Sequence, residues 1–539
     1  MPAYNYQLLL KHILNYGVAW APEQEIVYRD LVRHSYTTMY GRVLRLASAL
    51  QSLGVKPGTR VGVIEWDSHR YLEMYFAIPG IGAVLHTINP RLAPEDIAYT
   101  IAHAEDEVLI FHEDFYPLVE RVRPRIPSIR KTVLITDRKE KPDIKVDAEY
   151  EELLSAAIPL DELPDIDENT RATMAYTTGT TGLPKGVYFT QRQLVLHTLS
   201  VGLAVAAFGN FGGVNKNDVY MPLTPMFHVH AWGIPYMSTL FGVKQVYPGK
   251  YEPEMLMRLL LTEKVTFSHC VPTILQMIVT SPAVRGLDLS RWRVVIGGAR
   301  LSKGLALEAT KLGIKVYAGY GLSETCPVLT LAHLKPPMQA WSEEQQLDRM
   351  IMTGFIAPLV YLRVVDAAGN DVPKDGRSTG EIIARAPWCT QGYYKEPEKS
   401  EELWAGGWMH TGDVAYMDEY GYIQIVDRLK DVIKSGGEWI VSQELENLLS
   451  LHEGVLEAAV IGIPDEKWGE RPLAIVVPRE EYKGKLTGEM LSAHLNRYVE
   501  EGLITSWSVP EKYTFVDELP KTSVGKIDKK VLRSRFGAA

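Results

Sequence analysis

Seven short apolar runs, separated by stretches of helical spacing, constrain the fold of this chain more than any other feature. They are RVGVIEW (60–66), EVLIFHE (107–113), KTVLITD (131–137), MAYTT (174–178), VTFSHCVP (265–272), RVVIGGA (293–299) and KVYAGYG (315–321). Runs of this length interleaved with helices form parallel strands, so residues 40–330 predict helix-covered sheets of the α/β class. Beyond Gly354 strand and turn signals crowd together in LVYLRVVDAAGNDV, GEIIARA and WMHTGDVAYMDEYGYIQIVDR. The D-A-A-G-N and D-E-Y-G segments read as hairpin turns, which predicts a small antiparallel unit of β-barrel-like form. After DRLKDVIKSGG (427–437) a helical pattern restarts at Ser442 and leads to strands at 456–463, 472–478 and 512–518. A helix from Thr487 to Leu503 and a basic terminal helix complete a compact α+β domain. The expected organisation is a large N-terminal domain over 1–427, a charged hinge linker at 428–433 within the Gly-rich junction 427–437, and a small C-terminal domain over 434–539.

A chain of 539 residues is too long for one small domain. Its net charge of -9 argues against a nucleic-acid partner, which calls for a basic face, and favours small molecules. Cys270, Cys326 and Cys389 lie far apart and form no C-x-x-C pair, so neither a disulfide framework nor a zinc site is indicated. The opening MPAYNYQLLLKHILNYG has the spacing of an amphipathic helix without the parts of a secretory signal. The longest apolar stretch, LSVGLAVAAFG, falls short of the roughly 20 residues of a membrane span. A cytoplasmic protein with at most transient membrane contact is expected.

The stretch YTTGTTGLPKGV (176–187) resembles a phosphate cradle but is not Walker A, since Pro184 precedes Lys185 and Gly186 follows it. Thr177, Thr178, Thr180 and Thr181 offer hydroxyls, Gly179, Gly182 and Gly186 allow close backbone approach, and Lys185 adds a cation; a flexible turn is the alternative. AGYGLSET (318–325) departs from G-x-G-x-x-G at Glu324 and from G-x-S-x-G at Thr325. Glu324 beside a triphosphate suits Mg2+, and Tyr320 suits a flat base; a plain strand end and turn is equally open. Asp413, after Thr-Gly in a turn, suits the two hydroxyls of a ribose or its own backbone. In PKTSVGKIDKK, Lys526 follows a Ser-Val-Gly turn, whereas Lys529 and Lys530 read as a solvated helix face. PMFHVHAW presents His228, His230 and Trp232, better suited to substrate walls or core packing than to a metal that needs a third ligand.

Taken together and in order, YTTGTTGLPKGV, YGLSET, TGD, DRLKD and TSVGK resemble the adenylate-forming superfamily of acyl-CoA synthetases, luciferases and peptide-synthetase adenylation domains. GAVLHTINPRL, PMFHVHAW and DRLKDVIKSGGEWI are most similar to medium- and long-chain fatty acyl-CoA synthetases. The resemblance implies an ATP- and Mg2+-dependent ligase that makes acyl-AMP and pyrophosphate and then passes the acyl group to CoA. It implies that Thr177 to Lys185 hold the β- and γ-phosphates, Thr177 and Glu324 the Mg2+, and Gly298, Ala299, Tyr320 and Gly321 the adenine, with Ser323 and Thr325 at the nucleotide. Asp413 and Arg428 then hold the ribose, and Lys526 bridges the acyl carboxylate and the α-phosphate. His228 is placed with the catalytic and substrate-binding groups, and Trp232 gates the acyl tunnel. Lys430 is the hinge about which a mobile C-terminal domain swings. Lys434, Gly436, Gly437 and Trp439 face CoA. The resemblance also implies a homodimer, and leaves open an aryl, short branched or sulfur-containing acid such as methylthiopropionate.

Overall fold

The computed structural model describes residues 4–177, 183–207, 213–436, 438–521 and 527–537. The chain divides into two compact units, Met1–Leu301, Leu305–Tyr361 and Arg385–Met409 in one, Ser302–Gly304, Leu362–Ala384 and His410–Ala539 in the other.

All seven apolar runs are strands, and they are shared between two sheets of the first unit. One sheet has seven strands in the order Ala148–Glu149, Lys131–Ile135, Val108–His112, Arg60–Ile64, Val84–Thr87, Arg171–Thr177 and Lys185–Thr190. Only the last pair is antiparallel. The other sheet has nine strands. Lys315–Gly321, Arg293–Ile296, Phe267–Cys270, Val219–Leu223, Lys244–Tyr247 and Glu25–Tyr28 run parallel in that order. Antiparallel strands Val328–Leu331 and Phe355–Ile356 extend one edge, and Val32–Ser35 closes the other. Strands such as Val108–His112 are buried at every residue, as parallel strands covered on both faces must be. The helix His69–Gly80 is also buried at every residue because it packs against Val84–Thr87 and Arg171–Thr177 of one sheet and Glu25–Tyr28 of the other. Its N-terminus is capped by Ser68, whose side chain accepts from the Tyr71 amide.

The second unit carries the expected small β element as a four-stranded sheet, Tyr361–Val365, Thr379–Arg385, Met409–Met417 and Ile423–Arg428 in order. Both predicted turns are present. Asp366 N donates to Asn370 O at 2.9 Å, and Asp418 N to Tyr422 O at 3.0 Å. Beyond it, the long hairpin Val455–Asp465 and Gly469–Pro478 is buried on both faces. Ala458 and Val460 meet Leu445, Leu449 and Leu491 on one face, while Ala459, Ile461 and Ile463 share a second core with Leu532. The helices Ser442–Ser450 and Gly488–Glu500 therefore cover one side and Lys529–Phe536 the other. Lys530 is exposed as expected, but Lys529 is not: its side chain retains only 11% of its exposure and its ammonium meets Glu446 at 2.7 Å. The sequence showed a run of cations and not the acid, which lies 83 residues earlier and reaches Lys529 only through the fold. No helix among the described residues is long and apolar enough to cross a membrane.

Candidate functional site

In parallel α/β sheets the carboxyl ends of the strands form the natural crevice, because the loops that leave them splay apart. The motif residues of the first unit gather at such ends. Thr177 ends Arg171–Thr177, Gly298 and Ala299 follow Arg293–Ile296, Tyr320 and Gly321 end Lys315–Gly321, and His228 to Trp232 follow Val219–Leu223.

Thr177 pairs with Lys185 across the antiparallel strands that flank the Thr/Gly loop. Thr178, Gly179, Thr180 and Thr181 lie outside the described residues. Glu324 sits half-buried on the one-turn helix Ser323–Thr325, with Leu322 N donating to Thr325 Oγ1 at 2.9 Å and the Thr325 hydroxyl bonded to the Pro327 carbonyl. Gly321 is demanded by this turn: a Cβ there would lie 1.6 Å from Pro327 O.

A segment that sequence reasoning passed over ties the two halves of this site together. Tyr393 Oη donates to Glu324 Oε1 at 2.7 Å, and Lys185 Nζ stands 4.5 Å from the Tyr393 ring centre. Thr390 N donates to Glu324 O at 2.8 Å, and Tyr394 N to Gly186 O at 2.8 Å. Thr390 Oγ1 also donates to Tyr188 O at 3.1 Å. The stretch W-C-T-Q-G-Y-Y thus stitches the Lys185 strand to the Glu324 turn. Its one visible signal is an aromatic pair after glycine, just ahead of the helix Pro397–Leu403. Burial and the neighbouring Glu324 charge hold the Tyr393 phenol far above its usual range, so it stays a donor.

The substrate-wall expectation falls on an unusual backbone. Val229, His230, Ala231 and Trp232 all have positive φ, from 44° to 59°, and Gly233 continues at 72°. Non-glycine residues rarely adopt this conformation, and here it is held by packing. Trp232 is 8% exposed and lies against His269 with ring centres 4.9 Å apart, while a Cβ on Gly297 would come within 2.8 Å of its Cη2. His230 is fully buried among Tyr75, Phe189 and Tyr236, and burial lowers it to about 3, so it is neutral. His228 is half-buried, its amide donating to Pro225 O at 2.9 Å.

In the second unit Asp413 and Arg428 face each other across the strands, Arg428 Nε 3.1 Å from Asp413 Oδ1. Leu429 N donates to Gly412 O at 2.9 Å, which fixes the turn before Asp413. Lys430 is exposed. Lys434 is exposed in a short strand, its amide donating to Glu470 Oε2 at 2.8 Å. Gly436 has φ of 62°, donates to Trp468 O at 2.8 Å, and would clash with the Trp468 ring, 2.9 Å from a Cβ. Trp468 and Trp507, with ring centres 6.1 Å apart, are therefore neighbours of this glycine that the motif reading missed. Gly437, Lys526 and the side chain of Trp439 lie outside the described residues.

Among the described residues, the one His/Glu group with donor atoms close enough for a metal is His34, His69 and Glu73. Glu73 is already bound by Arg42 Nε at 2.6 Å and Tyr150 Oη at 2.8 Å, which makes this an ion-pair network. Glu324, a half-buried carboxylate with one oxygen aimed by Tyr393, offers the hard oxygen that Mg2+ takes.

The chain is 42% identical to a long-chain-fatty-acid--CoA ligase of Thermus thermophilus over 537 residues, covering 98% of this chain and 96% of that protein. It is 38% identical to a 3-methylmercaptopropionyl-CoA ligase of Ruegeria lacuscaerulensis, covering 98% and 97%. The anthranilate CoA ligase AuaEII, solved with anthranoyl-AMP, shares the fold with a TM-score of 0.84 at 24% identity, covering 100% of this chain and 98% of that one. The AMP-binding enzyme family matches residues 17–394 and its C-terminal domain matches 444–526, so the chain belongs to the AMP-binding enzymes, the adenylate-forming superfamily.

Proposed function

We propose that this chain is an ATP- and Mg2+-dependent ligase that joins a medium- or long-chain fatty acid to CoA through an acyl-AMP intermediate. The observation that carries the reading is the Lys185–Tyr393–Glu324 bridge, which brings a cation and a carboxylate together at the carboxyl ends of two sheets. A polyphosphate with its counter-cation is the ligand such a pair suits.

In the first half-reaction a carboxylate oxygen attacks the α-phosphorus, a new P–O bond forms and the P–O bond to pyrophosphate breaks. No general base is needed, since the acid is ionised near pH 7. What the protein supplies is cancellation of charge between two anions brought to near-attack distance. Thr177, the Thr178–Thr181 hydroxyls with Gly179, and Lys185 grip the departing pyrophosphate. Glu324 and Thr177 are the residues to hold Mg2+, whose chemistry there is neutralisation of phosphate charge. Gly298, Ala299, Tyr320 and Gly321 bound the adenine, with Ser323 and Thr325 beside it, and Asp413 with Arg428 takes the ribose. Lys526 bridges carboxylate and α-phosphate.

In the second half-reaction the CoA sulfur attacks the acyl carbon, its S–H proton is released, and the C–O bond to AMP breaks. The C-terminal domain turns about Lys430 within 428–433, and Lys434, Gly436, Gly437 and Trp439 come to the pantetheine arm. Trp232 and His228 line the acyl path. Relatives at 42% and 38% identity act, by name, on long-chain fatty acids and on 3-methylmercaptopropionate, and the second supports a sulfur-containing acid as the alternative substrate. A homodimer and a cytoplasmic location complete the reading, the first checked by light scattering.

The test is a carboxylate panel from acetate to palmitate, with methylthiopropionate and aromatic acids, read as CoA thioester and pyrophosphate formed. A maximum among medium or long chains is expected. A maximum at methylthiopropionate selects the alternative, and no AMP or pyrophosphate from any acid overturns both.

A further inference from the structure

The terminal helix Lys529–Phe536 presents Lys529 and Arg533, four residues apart and so on one face. Opposite them in D-R-L-K-D stand Asp427 and Asp431, with the same spacing. Lys529 Nζ lies 2.7 Å from Glu446 Oε1 and donates to Ser442 Oγ at 2.5 Å. Ser442 in turn donates twice to Asp427 Oδ2, from its amide and its hydroxyl, each at 2.6 Å. The Arg533 guanidinium pairs with Asp431 and reaches the Lys430 carbonyl at 3.5 Å. Asp427 is fully buried, so the chain of contacts runs through the interior.

The described residues on either side of Lys526, Lys521 and Ile527, are fastened nearby. Lys521 and Ile527 pair with each other, Lys521 Nζ meets Glu457 Oε1 at 2.7 Å, and Asp528 N donates to Pro520 O at 2.8 Å. Asp528 also caps the helix, accepting from Lys530 N at 3.1 Å and Val531 N at 3.2 Å. On the other side Asp427 Oδ1 accepts from the Arg428 amide at 2.8 Å, one residue from the guanidinium assigned to the ribose. Three residues separate Lys529 from Lys526, a span of at most about 10 Å when extended. With Lys529 in place, Ile527 and Asp528, which follow Lys526 in the chain, are therefore tied to the strand end that carries Arg428.

A buried ion pair is a poor means of gaining stability, because well-packed apolar residues in place of both partners often do as well. What it gives is a defined position. We propose that Lys529 is a positioning residue for the adenylation half-reaction: clasped by Glu446 and Ser442, and through Ser442 by Asp427, it fixes the Lys526 segment relative to the ribose-binding strand. This rests on the adenylate-forming reading and on Lys526 as the bridging cation. Glu446 and Lys529 both lie beyond the hinge, so that ion pair survives a domain rotation. The contacts of Ser442 with Asp427 and of Arg533 with Asp431 cross it, so they shut in one pose and open in the other.

The experiment uses the full chain with Lys529→Met and Lys529→Arg, measuring pyrophosphate release from ATP plus acid, and separately thioester from supplied acyl-AMP plus CoA. Lys529→Met is expected to slow pyrophosphate release about 100-fold, the scale of a misplacement near 1 Å, with thioester formation from acyl-AMP little changed. Lys529→Arg is expected to restore most of the adenylation rate, which a general loss of folding would not allow; Lys529→Met leaves Glu446 without its cation and should melt at a lower temperature than wild type, so both half-reactions are read well below that transition. Equal losses in both half-reactions, or adenylation undiminished in Lys529→Met while wild type is active, would overturn the inference. Wild type that forms no pyrophosphate with any acid would instead overturn the function on which it rests.

Discussion

Replacing Tyr393 by Phe removes one oxygen and leaves the ring in place. The ring still faces Lys185, at 4.5 Å from its centre, so the cation on the phosphate side is undisturbed. What is lost is the 2.7 Å hydrogen bond to Glu324 Oε1. A bond to a charged acceptor contributes roughly 1.5–3 kcal/mol, and the half-buried setting of Glu324 favours the lower end, about 1.5 kcal/mol. At about 1.4 kcal/mol per factor of ten, kcat/KM for MgATP should fall about tenfold. The Mg2+ titration should move to higher concentration, because an unaimed carboxylate must be ordered when the ion binds. Pyrophosphate release at a series of Mg2+ concentrations reads both effects. In a Glu324→Gln background the same substitution should add little, since both changes remove one interaction. A Tyr393→Phe enzyme with an unmoved Mg2+ titration, or equal effects in the two backgrounds, would show that Glu324 does not hold the ion through this contact.

For Lys526→Ala, adenylate formation should drop by orders of magnitude while thioester formation from supplied acyl-AMP stays near wild type; parallel losses would refute the two-pose mechanism. Gly297→Ala places a Cβ 2.8 Å from Trp232 Cη2 and should shift the preferred acyl chain length with the fold intact, seen in the carboxylate panel as a displaced maximum. Gly321→Ala sets a Cβ 1.6 Å from a backbone carbonyl and should destabilise by roughly 1–3 kcal/mol or more, read as a lowered melting temperature. The Asp67 carboxyl is fully buried, accepts from Met226 N at 2.8 Å and Tyr251 Oη at 2.7 Å, and is pushed up to about 7 by burial. Between an unfolded value of about 3.9 and that folded value the native state holds the extra proton, so stability falls as pH rises through this window. Asp67→Asn should gain melting temperature over wild type between about pH 4 and pH 7; a constant difference would remove Asp67 as the source.

Much of the first unit was legible because continuous apolar runs have one ready explanation in a parallel sheet, and all seven are strands. The sequence did not separate them into two sheets. That division depends on Arg60–Ile64 pairing with Val84–Thr87 and on Glu25–Tyr28 joining Lys244–Tyr247 from over 200 residues away, contacts that no local pattern encodes. Glu324 and Lys185 were found as separate motif members, but their link through Tyr393 needed the fold, since 69 residues separate Tyr393 from Glu324. Lys529 was misread for a related reason. A cation in a basic run looks solvated until the acid it meets, on another helix, is brought beside it.

The left-handed turn from Val229 to Gly233 has a cost that glycine would have avoided. Four side-chain-bearing residues in that conformation cost about 1–2 kcal/mol each. A drift toward glycine would relieve that burden in single steps, and Ala231, with only a methyl to lose, is the cheapest place to begin. Heat-resistant descendants of this chain would therefore be expected to carry glycine at 231 well before 230 or 232, where the imidazole and indole would be forfeited with the strain.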